Sequence, residues 1–175
     1  MELSKLMAAT GANTINATKF ADIIDDVLAE YEINTGERIA AFLAQVGHES
    51  GNLRYLREIW GPTEAQERYE GRVDLGNTEP GDGKRYMGRG LLQTTGRNNY
   101  TKLSKALDID FVSNPEQLEE PVNALKSACY FWKDNKLNQY ADSGDFKTLT
   151  KRINGGFNGL AERTALYEKA IPLFV

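Results

Sequence analysis

One carboxylate, Glu49, falls on the apolar face of a predicted helix. Apolar side chains recur along this segment at spacings of three and four residues: Ile39, Phe42, Leu43 and Val46. This period is typical of a helix, here from about Gly36 to His48, and its next step on the same face is Glu49. Apolar surroundings and the negative end of the helix dipole both disfavour an ionised carboxylate. Glu49 is therefore a candidate general acid, the group that gives a proton to a leaving oxygen.

A second carboxylate, Glu58, lies nine residues further on, where the helical pattern gives way to a glycine-rich region. Two carboxylates on opposite walls of a cleft form the general plan for hydrolysis of a glycosidic bond. Spacing does not choose Glu58 over the other acids of this region: Glu64, Glu67, Glu70 and Asp74. The alternative interpretation of Glu49 is a buried carboxylate paired with an arginine, for example Arg54 or Arg163.

Metal and nucleotide chemistry is disfavoured by the residue types. His48 and Glu49 begin like the helix of a zinc protease, but residue 52 is Asn where that motif needs His. The chain has one His and one Cys, and Cys129 lies in an apolar helical stretch typical of a packed thiol. A Gly-Arg-Gly sequence at 88–90 lacks the Lys-Ser/Thr ending of a phosphate loop. We therefore expect neither a metal site nor a cofactor.

The net charge of −4 argues against a general nucleic-acid binder, but the charge is unevenly spread. Residues 84–105 hold six basic side chains and no acid, whereas residues 108–120 hold five acids and no base. Such a basic stretch could steer an anionic polymer, and a merely solvated face is an equally good interpretation. The N-terminus shows no secretory signal and no segment has the length of a membrane span, so we expect synthesis in the cytoplasm and no membrane insertion.

The elements that must position these side chains are predicted to be helices. Helical patterns cover residues 2–10, 18–31, 36–48 and 98–107, and further helices begin at Pro121, near Phe146 and near Leu160. Residues 61–96 carry eight glycines and are predicted to form loops with short helical or extended pieces. The sequence thus predicts a mainly α class, with residues 1–175 as one catalytic domain and a possible small helical lobe around 85–135.

Three segments, in order, resemble the signatures of family 19 glycoside hydrolases. Residues 41–51 read AFLAQVGHESG, residues 86–100 read YMGRGLLQTTGRNNY and residues 153–156 read INGG. That family includes plant and bacterial chitinases and many phage endolysins. The resemblance spans roughly residues 39–167 and implies a mainly α, lysozyme-like, two-lobed domain with the active-site cleft between the lobes.

The resemblance also implies roles for the catalytic residues. Glu49 matches the general acid of the family. Glu58, the last residue of Arg-Tyr-Leu-Arg-Glu at 54–58, matches the general base of the endolysin-like branch. The family inverts the anomeric centre, and Thr95 matches a hydroxyl that helps to hold the attacking water.

Substrate-binding residues are implied in the same way. Gln93, Asn99 and Asn154 match polar residues that line the sugar cleft, and their amides can donate and accept hydrogen bonds at once. Arg163 matches a basic residue near the acid pair, while His48 and Tyr86 are expected to support the site. From residue type alone, Trp60 and Tyr69 are candidates for stacking on sugar rings.

Departures from the plant chitinase pattern favour the endolysin branch. Leu91-Leu92 stands where those enzymes have Pro-Ile or Pro-Leu, Thr95 stands where they have Ser, and their disulfides are absent. The resemblance then implies a monomeric, lysozyme-like hydrolase of peptidoglycan glycan strands, with N-acetylmuramidase activity favoured over N-acetylglucosaminidase activity. It would act on the cell wall in the periplasm after release by a separate membrane-permeabilising factor and cause host lysis. The alternative is a chitinase that cleaves β-1,4-linked N-acetylglucosamine polymers.

Overall fold

The computed structural model describes residues 1–175 as eleven α-helices and two short 3-10 helices. The α-helices are α1 Leu3–Thr10, α2 Thr14–Ala21, α3 Ile24–Glu30, α4 Gly36–Glu49, α5 Glu64–Glu67, α6 Asp82–Arg85, α7 Arg97–Leu107, α8 Pro121–Asp134, α9 Asn138–Asp142, α10 Phe146–Asn154 and α11 Leu160–Phe174. The 3-10 helices are Val73–Leu75 and Pro115–Glu119. Extended pairing is limited to two isolated bridges, both of which involve Arg89. The predicted mainly α class is confirmed.

The chain forms two compact units. Unit 1 comprises Met1–Arg54 and Cys129–Val175, and unit 2 comprises Tyr55–Ala128. Helix α8 begins in unit 2 and ends in unit 1. Unit 2 therefore begins well before the small lobe expected around 85–135, because the loops after residue 54 fold with the glycine-rich region.

Unit 1 is organised around α4, which packs against α11 and α1. Residues 40–47 of α4 are all buried, so the helix is covered on every side rather than along one stripe. Each large apolar side chain removed from water in this way contributes about 1.5–3 kcal/mol. Gly47 allows the closest approach, because a Cβ at this position would lie 2.6 Å from the carbonyl oxygen of Thr10.

The ends of α4 are fixed by hydroxyl groups. At its start, Thr35 Oγ1 accepts a hydrogen bond from the Arg38 backbone N–H at 3.2 Å. At its end, Ser50 Oγ donates to the Val46 carbonyl and accepts from the Leu53 N–H at 2.9 Å. These bonds stop the helix directly after Glu49, so the carboxylate lies at the boundary that the apolar pattern predicted.

Unit 2 has a polar centre within its core, around the hydroxyl of Tyr100. The guanidinium of Arg89, 6% exposed, donates to that hydroxyl at 3.0 Å and to Glu119 Oε2 at 2.9 Å. The Tyr100 hydroxyl in turn donates to the Met87 carbonyl. Burial raises the pKa of Tyr100, which keeps it a neutral donor. The network holds residues 87–89 in place beside α7 and the Pro115–Glu119 turn.

Helix boundaries differ from the sequence-based expectation at three places. The helix expected over 18–31 is two helices, because a turn at Asp22 and Ile23 leaves both Phe20 and Ile24 buried. The short helix α9 was not predicted, and α11, which was expected to end near Ala170, continues to Phe174 although Pro172 lies in its last turn. None of the helices combines the length and the apolar character needed to cross a lipid bilayer.

Candidate active site

Glu49, the last residue of α4, forms an ion pair inside unit 1. Its Oε1 accepts a hydrogen bond from Arg163 Nη2 at 2.5 Å. The side chain of Glu49 is 27% exposed, whereas that of Arg163, in the first turns of α11, is 2% exposed. The expectation that apolar neighbours surround this carboxyl was therefore wrong in part. A buried arginine occupies one of its oxygens, and the other side of the group remains accessible.

A chain of hydrogen bonds fixes the position of Arg163. Its Nη1 donates to Gln45 Oε1 at 2.7 Å, and its Nε donates to the Asn158 carbonyl at 3.0 Å. Gln45 Nε2 then donates to Thr150 Oγ1 at 3.0 Å. Gln45 and Thr150 are both fully buried. Because a buried cation without partners is strongly unfavourable, each of these acceptors helps to keep Arg163 aimed at Glu49.

His48 precedes Glu49 and lies against the N-terminus of α11. A Cβ on Gly159, whose φ is +71°, would overlap the imidazole ring of His48. Burial, followed by the positive charge of Arg163, lowers the pKa of His48 below its usual 6.5. The ring is therefore neutral at neutral pH and packs where only glycine fits. This geometry agrees with a supporting role for His48.

Asn154 shapes the loop that reaches Arg163. Its Oδ1 accepts a hydrogen bond from the Asn158 backbone N–H at 3.2 Å, and the Asn158 carbonyl is the acceptor for Arg163 Nε. The residue was predicted to line the sugar cleft. The structure shows that its side-chain oxygen instead closes the loop between α10 and α11. Asn154 therefore helps to hold the Asn158 carbonyl in the position where Arg163 Nε donates to it.

Glu58, in unit 2, is surrounded by neutral hydrogen-bond donors. Its Oε1 accepts from Gln66 Nε2 at 2.7 Å and from the Tyr69 hydroxyl at 3.4 Å. Its Oε2 accepts from the Gly88 backbone N–H at 2.5 Å. Burial and the charge of Glu58 raise the pKa of Tyr69, so the phenol remains a donor. Trp60 lies beside Tyr69, with ring centroids 6.2 Å apart. The two predicted stacking residues are thus neighbours next to this carboxylate.

Gln66 was missed by the sequence analysis. It is 6% exposed, and its Oε1 accepts from the backbone N–H groups of Gly61 and Thr63 at 3.0 and 2.8 Å. Thr63 Oγ1 accepts from the Gln66 N–H, so the pair forms a capping box at the start of α5. The Thr-x-x-Gln spacing signals that box in the sequence. It does not show that the remaining amide hydrogens point at Glu58.

The other acids considered for the role of base are engaged differently. Glu64 is 94% exposed at the side chain and faces Arg68, and Glu67 is exposed on the same short helix. Asp74 pairs with Arg72 through two hydrogen bonds at 2.9 and 2.8 Å.

Glu70 accepts two backbone hydrogen bonds, from Gly81 and Gly83, both at 2.8 Å, and these bonds lower its pKa. It organises a loop. Among the five acids, Glu58 is the half-buried carboxylate that accepts hydrogen bonds from neutral side chains, and its role as base stays a prediction.

Gln93 and Thr95 lie on the turn that follows Gly88. A Cβ on Gly88 would meet Glu58 Oε2 at 2.7 Å and Gln93 Oε1 at 2.8 Å, so the two side-chain oxygens converge on this glycine. Gln93 itself is exposed and has a φ of +40°, a strained value for a residue with a side chain. The half-buried Thr95 accepts at its carbonyl from Asn99 Nδ2 at 2.8 Å. The Asn99 amide therefore secures the start of α7.

The structure places Tyr86 in the core, contrary to its predicted place at the substrate site. Only 1% of the residue is exposed, and its hydroxyl donates to the Val112 carbonyl at 2.8 Å. Its ring packs edge-on to Tyr100 at 5.1 Å, and the Arg97 guanidinium lies over the ring at 4.9 Å. The ring of Tyr86 is therefore part of the core of unit 2. Its position in a glycine-rich region gave no indication of this burial.

The predicted site residues thus form two clusters, one in each unit. Glu49, His48, Asn154 and Arg163 make up the cluster of unit 1. In unit 2, the side-chain oxygens of Glu58 and Gln93 converge on Gly88, and Thr95 and Asn99 are joined by a hydrogen bond at the start of α7. No group of three His, Cys, Asp or Glu side chains is arranged to hold a metal ion. Both clusters contain a carboxylate that can take part in acid–base chemistry.

A mainly helical chain with two such carboxylate clusters falls in the class of helical glycan hydrolases. The family model for class I chitinases, of glycoside hydrolase family 19, matches residues 12–145. A family 19 domain-containing protein of Haemophilus influenzae is 35% identical over 156 residues, covering 73% of this chain and 76% of that protein. The chain therefore belongs to glycoside hydrolase family 19.

Plant relatives and solved structures agree with this assignment. Endochitinase CHI of Arabidopsis thaliana is 37% identical over 137 residues, which is 78% of this chain but 49% of the plant protein. The chain thus spans about half the length of that relative. Chitinase C of Streptomyces griseus has the same fold, with a TM-score of 0.75 at 22% identity over 99% of this chain and 76% of its own. A bacterial family 19 chitinase gives 0.70 at 22% identity over 99% and 94%.

Proposed function

We propose that this chain hydrolyses a β-1,4-linked glycan of N-acetylated amino sugars, with Glu49 as general acid and Glu58 as general base. The observation that carries the proposal is the different setting of the two carboxylates. Arg163 holds one oxygen of Glu49, while Glu58 is held entirely by neutral donors. The resemblance of the sequence motifs to those of family 19, to which the chain belongs, implies the same division of roles.

The acid step follows from the occupied oxygen. Because Glu49 Oε1 accepts from Arg163, a proton on this carboxyl is carried on Oε2. It passes to the glycosidic oxygen as the bond from that oxygen to C1 breaks, and positive charge develops on the sugar ring. Arg163 then stabilises the carboxylate that remains on Glu49.

The base step belongs to Glu58. A water molecule attacks C1 from the opposite face, and its proton moves to the Glu58 carboxylate, so the anomeric configuration inverts. Thr95 is proposed to hold this water through its hydroxyl. Gln66 and the Gly88 N–H keep the carboxylate in one orientation. Solvent then returns a proton to Glu49 and removes one from Glu58.

The substrate we propose is bacterial peptidoglycan, and the bond we propose is the one cleaved by an N-acetylmuramidase. Within the basic stretch over residues 84–105, Arg89 and Arg97 are paired with carboxylates, and the exposed Lys84 and Arg85 are the cations that favour an anionic wall polymer over a neutral one. Chitin is the second candidate, because the plant relatives are named endochitinases and the solved structures are chitinases. Both polymers share β-1,4-linked N-acetylglucosamine units, so the same acid and base serve either.

Mass spectrometry of the products from purified peptidoglycan tests substrate and acid together. Wild-type protein should release disaccharide peptides with N-acetylmuramic acid at the reducing end, and Glu49→Gln protein should release none. Proton NMR of the first product should show the α-anomer. Turnover of colloidal chitin with intact peptidoglycan would establish the second candidate, and a β-anomer would contradict the role of Glu58 as base.

The role of an endolysin is part of the same proposal. The protein would be made inside the host cell and reach the wall after a separate factor opens the membrane. Expression in a bacterium should then leave the culture turbid until a membrane-permeabilising agent is added, after which wild-type but not Glu49→Gln cells should lyse. Lysis by wild-type protein without the agent would contradict the need for a separate factor.

A further inference from the structure

Unit 2 contains an open groove of about 540 Å³ with a cationic lining. Its lining residues are Arg57, Gly81, Lys84, Arg85, Met87, Arg89 and Pro115. Four of the seven carry positive charge, and none is acidic. Neither the acid step nor the base step proposed above uses any of these four side chains.

The carboxylates around the groove offset only part of this charge. Glu119 pairs with Arg89 Nε at 2.9 Å and approaches Arg57 Nε at 3.8 Å. Arg85 Nη2 instead donates to the neutral carbonyls of Val112 and Ser113, at 3.1 and 3.0 Å. Lys84 is exposed at the rim. On the Gly81 side, Glu70 accepts hydrogen bonds from the backbone N–H groups of Gly81 and Gly83, and the buried Asp82 is paired with Arg97. The groove therefore retains an excess of positive charge.

The groove lies one residue away from the proposed base. The Glu58 N–H donates to the Gly88 carbonyl at 2.9 Å, and the Gly90 N–H donates to the Leu56 carbonyl at 2.8 Å. In extended pairing, successive side chains point to opposite faces. Arg57 and Arg89 accordingly line the groove, whereas the carboxylate of Glu58 points the other way, towards Gln66 and Tyr69.

We propose that this groove binds the carboxylates of the peptide stem of peptidoglycan, an inference that rests on the proposed function. The stem leaves the glycan through the lactyl group of muramic acid, next to the bond proposed to be cleaved. The exposed cations of Arg57, Lys84 and Arg85 match the carboxylates of such a peptide. The groove thus gives the site a reason to prefer peptidoglycan over uncharged chitin.

The test compares peptide-bearing peptidoglycan with glycan strands from which an amidase has removed the stems. The variant is Lys84→Glu combined with Arg57→Gln, since these two side chains are exposed and Arg89 is needed in the core. Its KM should rise roughly fivefold on peptide-bearing material, and high salt should abolish the difference from wild type. Activity on stripped strands should stay within about twofold, because the carboxylate clusters are untouched.

Lys105→Glu is the matched control, because it reverses an exposed charge of the same basic stretch outside the groove. It should behave as wild type on both substrates. Equal losses on both substrates for the groove variant, or no loss on either, would overturn the assignment.

A binding assay separates this inference from the catalytic proposal. Catalytically inactive Glu49→Gln protein should co-sediment with intact sacculi more strongly than with stripped strands, and Lys84→Glu in that background should remove the difference. Turnover of chitin oligosaccharides with no preference for intact sacculi would refute the groove while leaving the acid and base in place. A peptide-dependent preference without any glycan turnover would refute the proposed function alone.

Discussion

The two carboxylates that define the candidate site are held by opposite means. Glu49 meets a cation that is almost fully buried and that comes from a helix 114 residues further along the chain. Glu58 meets an amide, a phenol and a backbone N–H, all within 30 residues of it. A long-range ion pair makes the geometry of Glu49 depend on the packing of unit 1, whereas the geometry of Glu58 depends on local loops.

This difference suits the proposed roles. A general acid becomes an anion during the reaction, and a fixed cation stabilises that anion at the moment it forms. A general base starts as an anion and becomes neutral, so neutral donors can orient it without binding its charge too tightly. The comparison can be tested by removing each carboxylate and then each means of holding it.

The largest expected effect comes from the carboxylates themselves. Glu49→Gln should abolish turnover, because the amide N–H is far too weak an acid to protonate the leaving oxygen. Glu58→Gln should reduce kcat by about 10²-fold or more, the usual scale for loss of a general base. Initial rates on peptidoglycan or chitin oligosaccharides measure both, with the exposed Glu64→Gln as control. A larger loss for Glu64→Gln than for Glu58→Gln would reassign the base.

Removal of the cation should lower stability as well as activity. Arg163→Ala leaves a cavity and takes the donor away from fully buried Gln45, so the free energy of unfolding should fall by about 2–4 kcal/mol. Urea denaturation measures the change, with the exposed Arg152→Ala on α10 as control. Arg163→Ala with unchanged kcat would show that the ion pair plays no part in the reaction.

Removal of a neutral donor should have a smaller effect. Gln66→Ala deletes the amide that holds Glu58 Oε1 and opens the capping box of α5, so we expect a loss of about 1–2 kcal/mol in stability and roughly tenfold in kcat. Glu67→Ala, an exposed change on the same helix, is the control. If Gln66→Ala lost stability but retained full kcat, the amide would serve only the loop.

The smallest effect concerns pH. Folding lowers the pKa of His48 below 6.5, so the unfolded chain takes up its proton before the folded protein does. The contribution of His48 to stability is therefore complete above about pH 6.5 and declines as pH falls towards the lower pKa of the folded state. When the pH is lowered from 7.5 to 5.5, the free energy of unfolding measured by denaturation should fall less for His48→Gln than for wild type. An identical loss would place the pH dependence elsewhere.

Local sequence pattern predicted most of the helices and the position of one candidate catalytic residue. The apolar stripe placed Glu49 at the end of α4, and three short motifs indicated the family. The pairing of Glu49 with Arg163 was only one of two options, because periodicity carries no information about contacts between residues so far apart. Arg163 was expected near the acids, but its contact with Gln45, which in turn donates to Thr150, was not predicted, since polar residues on a helix usually face water.

The loops of unit 2 were the harder part. The glycines of residues 61–96 predicted turns correctly, but turns alone do not say which side chains enter the core. Tyr86 was therefore assigned to the substrate, although Val112 and Tyr100 bury it. Gln66 was overlooked, although its capping spacing with Thr63 marks the start of a helix.

Gly88 has a consequence for the design of inactive proteins. The oxygens of Glu58 and Gln93 converge where a methyl group would stand, so Gly88→Ala would displace the Glu58 carboxylate without deleting any titratable group. Such a variant would keep the charge, the isoelectric point and the full set of hydrogen-bonding side chains of the wild type. It would therefore serve as an inactive probe whose retention on a glycan could be compared directly with that of the wild type.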